Sequence, residues 1–399
     1  MGIFSRNKKK DKLVLVFDIK SSHVGGGLFW TQESGIPKII FSVREPIDIE
    51  KNIKADRFLS LILKSLQIVA DKVYAAGLPA PEDIFCVLPS LLYVSQTRII
   101  ELKKNAPFIF TSKLADNLIQ KEVTLFEEEH LQKYLRSGAP VKLIELKNIK
   151  TMLNGYETAA PLNQKAQELQ MTIFISMGAE KILKKIEEVI KKHFQSKGVK
   201  FSSLALCSFA VVRDIYTHSD NFLLINIGGE VTDILIIKKN ILRESISFPF
   251  GLNFIIRGVA SAFPCSLSEA ESYISLFKDG HASEPIGKAL GTVINKLKIE
   301  WLHKFQESLS NLSNDISVPS TIYLTVDKEM ATFFSETIKT EQFNQYTLTD
   351  SKFEVTFLGA EVFYDLVQFE ADVERDTFLI MDSIYINRFL IHPACADKI

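Results

Sequence analysis

Two segments of the same design recur far apart in this chain and constrain its fold more than anything else in it. The first is Leu13-Val14-Leu15-Val16-Phe17-Asp18-Ile19-Lys20-Ser21-Ser22; the second is Phe222-Leu223-Leu224-Ile225-Asn226-Ile227-Gly228-Gly229-Glu230-Val231-Thr232-Asp233, which runs into the apolar strand Ile234 to Ile237. An apolar run that ends in Asp or Asn, meets small polar or glycine residues and turns back into a strand makes a β-hairpin whose tip can approach a phosphate closely. One such hairpin says little, because antiparallel sheets often contain apolar strands joined by Gly-rich turns. A matched pair predicts a duplicated α/β architecture with both tips facing one cleft.

At 399 residues the chain exceeds what one apolar core usually organises, so two principal domains are expected. Net charge is −1, with acids and bases interspersed, which excludes a broad nucleic-acid surface. No apolar run reaches the roughly 18 to 20 residues that span a bilayer, and the start lacks a signal-peptide core, so a cytoplasmic location is expected. Cys86, Cys207, Cys265 and Cys395 are widely spaced and form no CxxC pair, and they read as buried thiols. Residues 1–10 form a basic tail. Ile3 and Phe4 beside Arg6, Lys8, Lys9 and Lys10 predict weak, salt-sensitive contact with anionic lipid.

Patterning divides the rest. Residues 11–92 and 159–218 form a first domain, with a helix over Asp56 to Ala76 and strands at Asp83 to Pro89, Leu169 to Ser176 and Leu204 to Cys207. Residues 93–158 are an inserted module with strands at Ser95 to Leu102 and Val141 to Lys150 around a charged helix, Ser112 to Tyr134. Residues 219–399 form the second domain, with a helix N-capped by Ser268 in a capping box with Glu271, a long helix from Ile286 to Leu312 and a terminal apolar segment, Phe378 to Ile391. That last segment fits either a core helix or a membrane anchor.

These residues carry a family resemblance over nearly the whole chain. The first hairpin at Asp18, Leu153-Asn154-Gly155-Tyr156, Pro161, Ser208-Phe209-Ala210, the second hairpin, Pro249-Phe250-Gly251-Leu252-Asn253 and Ala270-Glu271 resemble the bacterial cell-division protein family FtsA and the type IV pilus assembly family PilM. The resemblance implies an actin-like, ribonuclease-H-like duplicated ATPase fold, with the module resembling an SHS2 domain. It also implies a protein peripheral to the inner face of the plasma membrane, with membrane-bound protein partners of a division or pilus assembly, and self-association. In such a fold ATP would meet Asp18, Lys20, Ser21, Ser22, Gly228, Gly229, Thr232, Asp233, Gly251 and Glu271, and Asp18 and Asp233 would hold Mg²⁺ through water if nucleotide binds.

The departures fall on nucleotide chemistry. Lys20 stands where the resembled families have Gly, Asn226 where they have Asp, and Glu230 where they have a third Gly. A carboxylate at that place opposes an anionic ligand unless a metal bridges them. The Val326-Asp327-Lys328-Glu329 turn lacks glycine, and Ile274 replaces a lysine three residues after Glu271. A degraded site is the expectation. Glycines also persist at such turns for backbone reasons alone, and an Asp at the place of Asp18 can serve its own turn. No other catalytic pattern appears, since HExxH, GxSxG and the P-loop are missing and the histidines are scattered; His23 reads as incidental. Two function classes result: a division- or pilus-type scaffold, with the FtsA-type role the first expectation, or an ATPase or sugar kinase of the same fold.

Overall fold

The computed structural model describes residues 11–134, 140–195, 198–311, 318–339 and 352–392. Strands and helices are numbered along the chain. Apolar β-branched runs build a six-stranded sheet from β1 (Leu13–Ile19), β2 (His23–Trp30), β3 (Lys38–Pro46), β4 (Asp83–Leu88), β9 (Val199–Ser203) and β15 (Gln368–Phe369), in the order β15-β3-β2-β1-β4-β9. A five-stranded sheet holds β10 (Phe222–Ile227), β11 (Thr232–Lys238), β12 (Ile241–Phe248), β13 (Thr321–Val326) and β14 (Glu354–Phe357), ordered β12-β11-β10-β13-β14. The two share one plan. In each, the opening strand pairs antiparallel with its hairpin partner on one side and parallel with a later strand on the other. The duplication read from the two hairpins is therefore a duplication of whole sheets.

Helices cover the sheets by their apolar stripes. Helices α1 (Ala55–Ala75) and α3 (Glu180–Lys191) bury Leu66, Val69, Leu183 and Ile186 against one face of the first sheet. Helices α7 (Glu284–Ser310) and α8 (Ala331–Lys339) cover the second with Trp301, Phe305 and Phe334. Between the sheets lie α4 (Leu204–Ile215) and α9 (Thr377–Tyr385), whose side chains join Val14 and Phe85 of one sheet to Phe222 and Leu235 of the other in a single core. Helices α5 (Leu252–Ala262) and α6 (Leu267–Lys278) pack on the first half of α7 through Ile255, Val259, Ala270 and Leu290. The inserted region is a four-stranded sheet of β5 (Tyr93–Ile109), β6 (Val141–Leu153), β7 (Tyr156–Glu157) and β8 (Lys165–Ala179), in the order β5-β8-β6-β7, with α2 (Ser112–Tyr134) on its Phe110, Leu169 and Ile173 face.

Several sequence expectations differ from this arrangement. The strand expected to rejoin the first domain, Leu169 to Ser176, is β8, the central strand of the inserted sheet; period-2 patterning marks a strand but not the sheet it joins. Leu204 to Cys207 is the first turn of α4, not a strand, because the Ser203 hydroxyl caps it by accepting from the Leu206 N–H. The α6 capping box is Ser266 with Glu269, two residues earlier than Ser268 and Glu271. The final segment crosses back from the second domain: β15 pairs with β3, and α9, followed by a π-helical stretch Ile386–Ile391, is buried against β1, β2 and α4. Phe378 to Ile391 is thus core rather than anchor. No described helix is long and apolar enough to cross a membrane. Cys86 and Cys207 are buried as expected, while Cys265 is partly exposed; Cys395 and the basic tail 1–10 lie outside the described residues.

Candidate functional site

The equivalent hairpins of the two sheets meet tip to tip. The Ser21 hydroxyl accepts a hydrogen bond from the Glu230 N–H at 3.0 Å. A Cβ placed on Gly229 would lie 2.7 Å from the Ser21 carbonyl oxygen, and one on Gly228 2.6 Å from the Ser21 hydroxyl. Gly251 is tighter still, since a Cβ there would lie 2.3 Å from the Gly228 carbonyl oxygen. Glycine is required at these positions for close packing of chain on chain.

Charge is settled locally in the same way. Lys20 Nζ sits 2.9 Å from Asp18 Oδ1 with both side chains buried, and 4.4 Å above the centre of the Phe378 ring. Burial pushes the Asp18 carboxyl up against the opposing pull of Lys20. Burial alone would depress Lys20, yet Asp18 and Asp382 hold its ammonium above the ordinary value. Asp382, on α9, is pushed well up by burial and then by Asp18, and accepts a hydrogen bond from the Cys207 thiol at 3.1 Å. Glu230, expected to face a ligand, is clamped by Arg257 at 2.7 and 2.6 Å and accepts from Asn253 at 2.7 Å.

Polar ties span the cleft between the halves of the molecule. Besides Ser21 with Glu230, Arg257 of α5 donates to the Glu50 carbonyl at 2.7 Å, and Arg44 of β3 pairs with Asp327 beyond β13 at 2.6 Å and with Asp376 at 3.3 Å. Desolvation opposes the Arg44 charge, but Asp327 and Asp376 raise it above its ordinary value. Nothing in the local sequence around Arg44, Arg257 or Asp376 marks them. Asp382, an acid inside an apolar helix, was the one legible signal.

The expected site residues separate accordingly. Asp18, Lys20 and Ser21 lie together at the first tip, with Ser22 donating or accepting at His23 Nδ1, 2.8 Å away. Gly228 and Gly229 form the second tip, and Gly251, at the start of α5, packs against it. Thr232 is fully buried, its hydroxyl donating to the Phe250 carbonyl at 2.7 Å, so it braces β11 against α5. Asp233 points to another place: its Oδ1 accepts from Ser90 at 2.5 Å and Ser247 at 2.6 Å, on the wall of a cavity of about 340 Å³ beside Tyr93, and burial pushes its carboxyl up. Glu271 lines the open part of the cleft, where cavities of about 750 and 660 Å³ also border Arg44, Asp327 and Glu374. His23, beside the first tip, is buried, its ring pushed well down by burial and then by Arg44 and Lys20.

No family model matches the chain, and no curated protein matches it. Solved structures do. One described as a PilM-PilN type IV pilus biogenesis complex superposes at TM-score 0.58 with 12% identity, covering 96% of this chain and 98% of that one. The ethanolamine utilization protein EutJ from Carboxydothermus hydrogenoformans gives TM-score 0.39 at 11% identity over 94% and 88%, and a Bacteroides thetaiotaomicron protein with actin-like ATPase fold gives 0.37 at 8% over 96% and 99%. With the duplicated sheets, the likeness to the pilus biogenesis structure at TM-score 0.58 establishes the fold expected from the sequence, an actin-like ATPase fold.

Proposed function

We propose that this chain is an actin-fold adaptor of a membrane-bound assembly, in which protein side chains have taken the place of nucleotide phosphates. The observation that carries the reading is Ser21, whose backbone and hydroxyl fill the gap between the hairpin tips. The residues present do not fit ATP with Mg²⁺. The phosphate-side amide of Glu230 is spent on Ser21, Asp18 is neutralised by Lys20, and Asp233 is turned to Ser90 and Ser247. Ligand-free glycine tips would be expected to keep open amides, and here neither the Glu230 amide nor the Lys20 ammonium is left for a phosphate.

A protein partner is supported by the inserted four-stranded sheet and by the likeness to a pilus biogenesis complex, which favours the pilus-type role. The division-type role rests on Leu153-Asn154-Gly155-Tyr156, which forms an exposed turn with φ of 51° at Asn154 and 84° at Gly155, and with Tyr156 77% exposed. The identity of the module as an SHS2 domain belongs to the same reading.

Two measurements test it. Calorimetric titration of the nucleotide-free chain with Mg-ATP should give no saturable heat; a dissociation constant in the low micromolar range with turnover would replace the adaptor by the ATPase reading. Mass spectrometry of proteins that co-purify from detergent-solubilised membranes should find membrane proteins of a pilus assembly, and division proteins instead would select the other role.

A further inference from the structure

We propose that Asp18, His23 and Asp376 form a protein-only binding site for one divalent transition-metal ion of the zinc class. One ring nitrogen of His23 and one carboxylate oxygen of each aspartate lie within 4.8 Å of one another, and all three residues are buried. Zinc takes nitrogen and carboxylate ligands at about 2.0–2.2 Å with a water in the fourth position, so these ligands need close by only a fraction of their present spread. The independent observation is at the atoms themselves. His23 Nε2 and Asp18 Oδ2 have no hydrogen-bond partner among the described residues, although His23 is only 2% exposed and Asp18 0%. Buried polar atoms are nearly always satisfied, so two orphans in one cluster call for an occupant.

The surroundings suit the role. The Ser22 hydroxyl, 2.8 Å from His23 Nδ1, orients the ring from its far side, as outer-shell partners of metal-bound histidines do. Asp376 Oδ1 is held by the Phe378 and Leu379 amides at 2.9 and 3.0 Å, and its Oδ2 faces Arg44. Access runs from the cleft, because His23 borders the cavity of about 660 Å³ and Asp376 one of about 260 Å³, with Arg44 common to both. The acids Asp18, Asp376, Asp327 and Asp382 outnumber the bases Lys20 and Arg44 around this cluster, which favours a cation. Lys20 is the competitor. Its ammonium already neutralises Asp18, so affinity should be moderate in the wild type and should rise when that charge is removed.

The test uses the full chain, dialysed against chelator and free of nucleotide, titrated with Zn²⁺ alone in the presence of excess Mg²⁺. The expected result is one Zn²⁺ per chain by elemental analysis, and a Co²⁺ adduct with the visible absorption of nitrogen and oxygen ligands without sulfur. His23→Gln should weaken binding at least tenfold. His193→Gln, which removes the surface pair with Asp71, should leave it unchanged. Lys20→Met should tighten binding and give a zinc-dependent rise in melting temperature, a gain that misfolding cannot imitate. Binding that is sub-stoichiometric, displaced by Mg²⁺, or lost in His193→Gln would overturn the site; so would a Lys20→Met chain with no gain. Mg-ATP titration is separate, so failure of the metal site leaves the adaptor reading standing, and the reverse.

Discussion

Lys20 shows how one side chain redirects a site. On a hairpin tip built for close approach, an ammonium paired with Asp18 and roofed by Phe378 supplies the positive charge that a metal-bound nucleotide would otherwise bring. Breaking a buried pair costs more than the pair is worth, because the remaining charge is stranded. Asp18→Asn should therefore lower unfolding free energy by about 3 to 5 kcal/mol in urea titrations, and adding Lys20→Met should recover most of the loss; equal stability of the single and double variants would refute this account. Glu145 is a second buried acid, accepting from the Ser203 N–H at 2.9 Å, from the Ser203 hydroxyl at 2.5 Å and from the Tyr385 hydroxyl at 2.9 Å. Burial lifts its carboxyl above the ordinary range, and the hydrogen bonds only partly oppose the shift. With the folded value above the unfolded one, its contribution is complete below about pH 4.3 and is lost as pH rises through the folded value. Wild-type stability should thus fall relative to Glu145→Gln as pH rises above about 4.3, and parallel pH profiles of the two proteins would count against the assignment.

Among elements, β8 decides where the inserted module ends. It lies between β5 and β6, and Tyr93 of β5 pairs directly with Gly178 near its end, so the module leaves and rejoins the chain at adjacent points. Replacing residues 93–178 by a short Gly-Ser linker should keep a cooperative melt, because the ends need no spanning and both larger sheets remain complete. Replacing only 93–158 should give aggregation, since β8 would lose both neighbours and expose Ile173 and Ile175. Light scattering and circular dichroism on the two deletions separate the outcomes; a well-folded shorter deletion would show that β8 does not depend on its sheet partners.

For the whole molecule, the consequence is a cleft held shut by its own side chains at one end and open at the other. Arg44, Arg257 and Ser21 tie the halves together, while α4 and α9 share one core between the sheets. On the adaptor reading proposed above, such a chain would present surfaces rigidly rather than run a nucleotide cycle, and membrane recruitment would fall to a partner and to the basic tail. About four basic charges beside Ile3 and Phe4 should give weak sedimentation with anionic liposomes at low salt, lost near physiological ionic strength, where screening acts within about 8 Å. Deleting residues 1–10 should abolish that binding without changing the melt, and undiminished binding would transfer the contact to a folded surface.

The matched hairpins, the charged helix of the module and the apolar last segment were legible in the sequence because each rests on local patterning, at a period of 2 or 3.6, with turn chemistry to bound it. The actin-like fold was implied by the family resemblance that the hairpins help to carry. Local pattern could not show that Leu169 to Ser176 joins the inserted sheet or that Phe378 to Ile391 returns to the first one, since sheet membership is a long-range pairing. The departures at Lys20 and Glu230 were visible as changes from the resembled pattern, but their partners were not. Arg257 lies 27 positions from Glu230 and Asp376 332 from Arg44, and only the folded chain brings such charges within bonding distance, where burial makes their pairing obligatory.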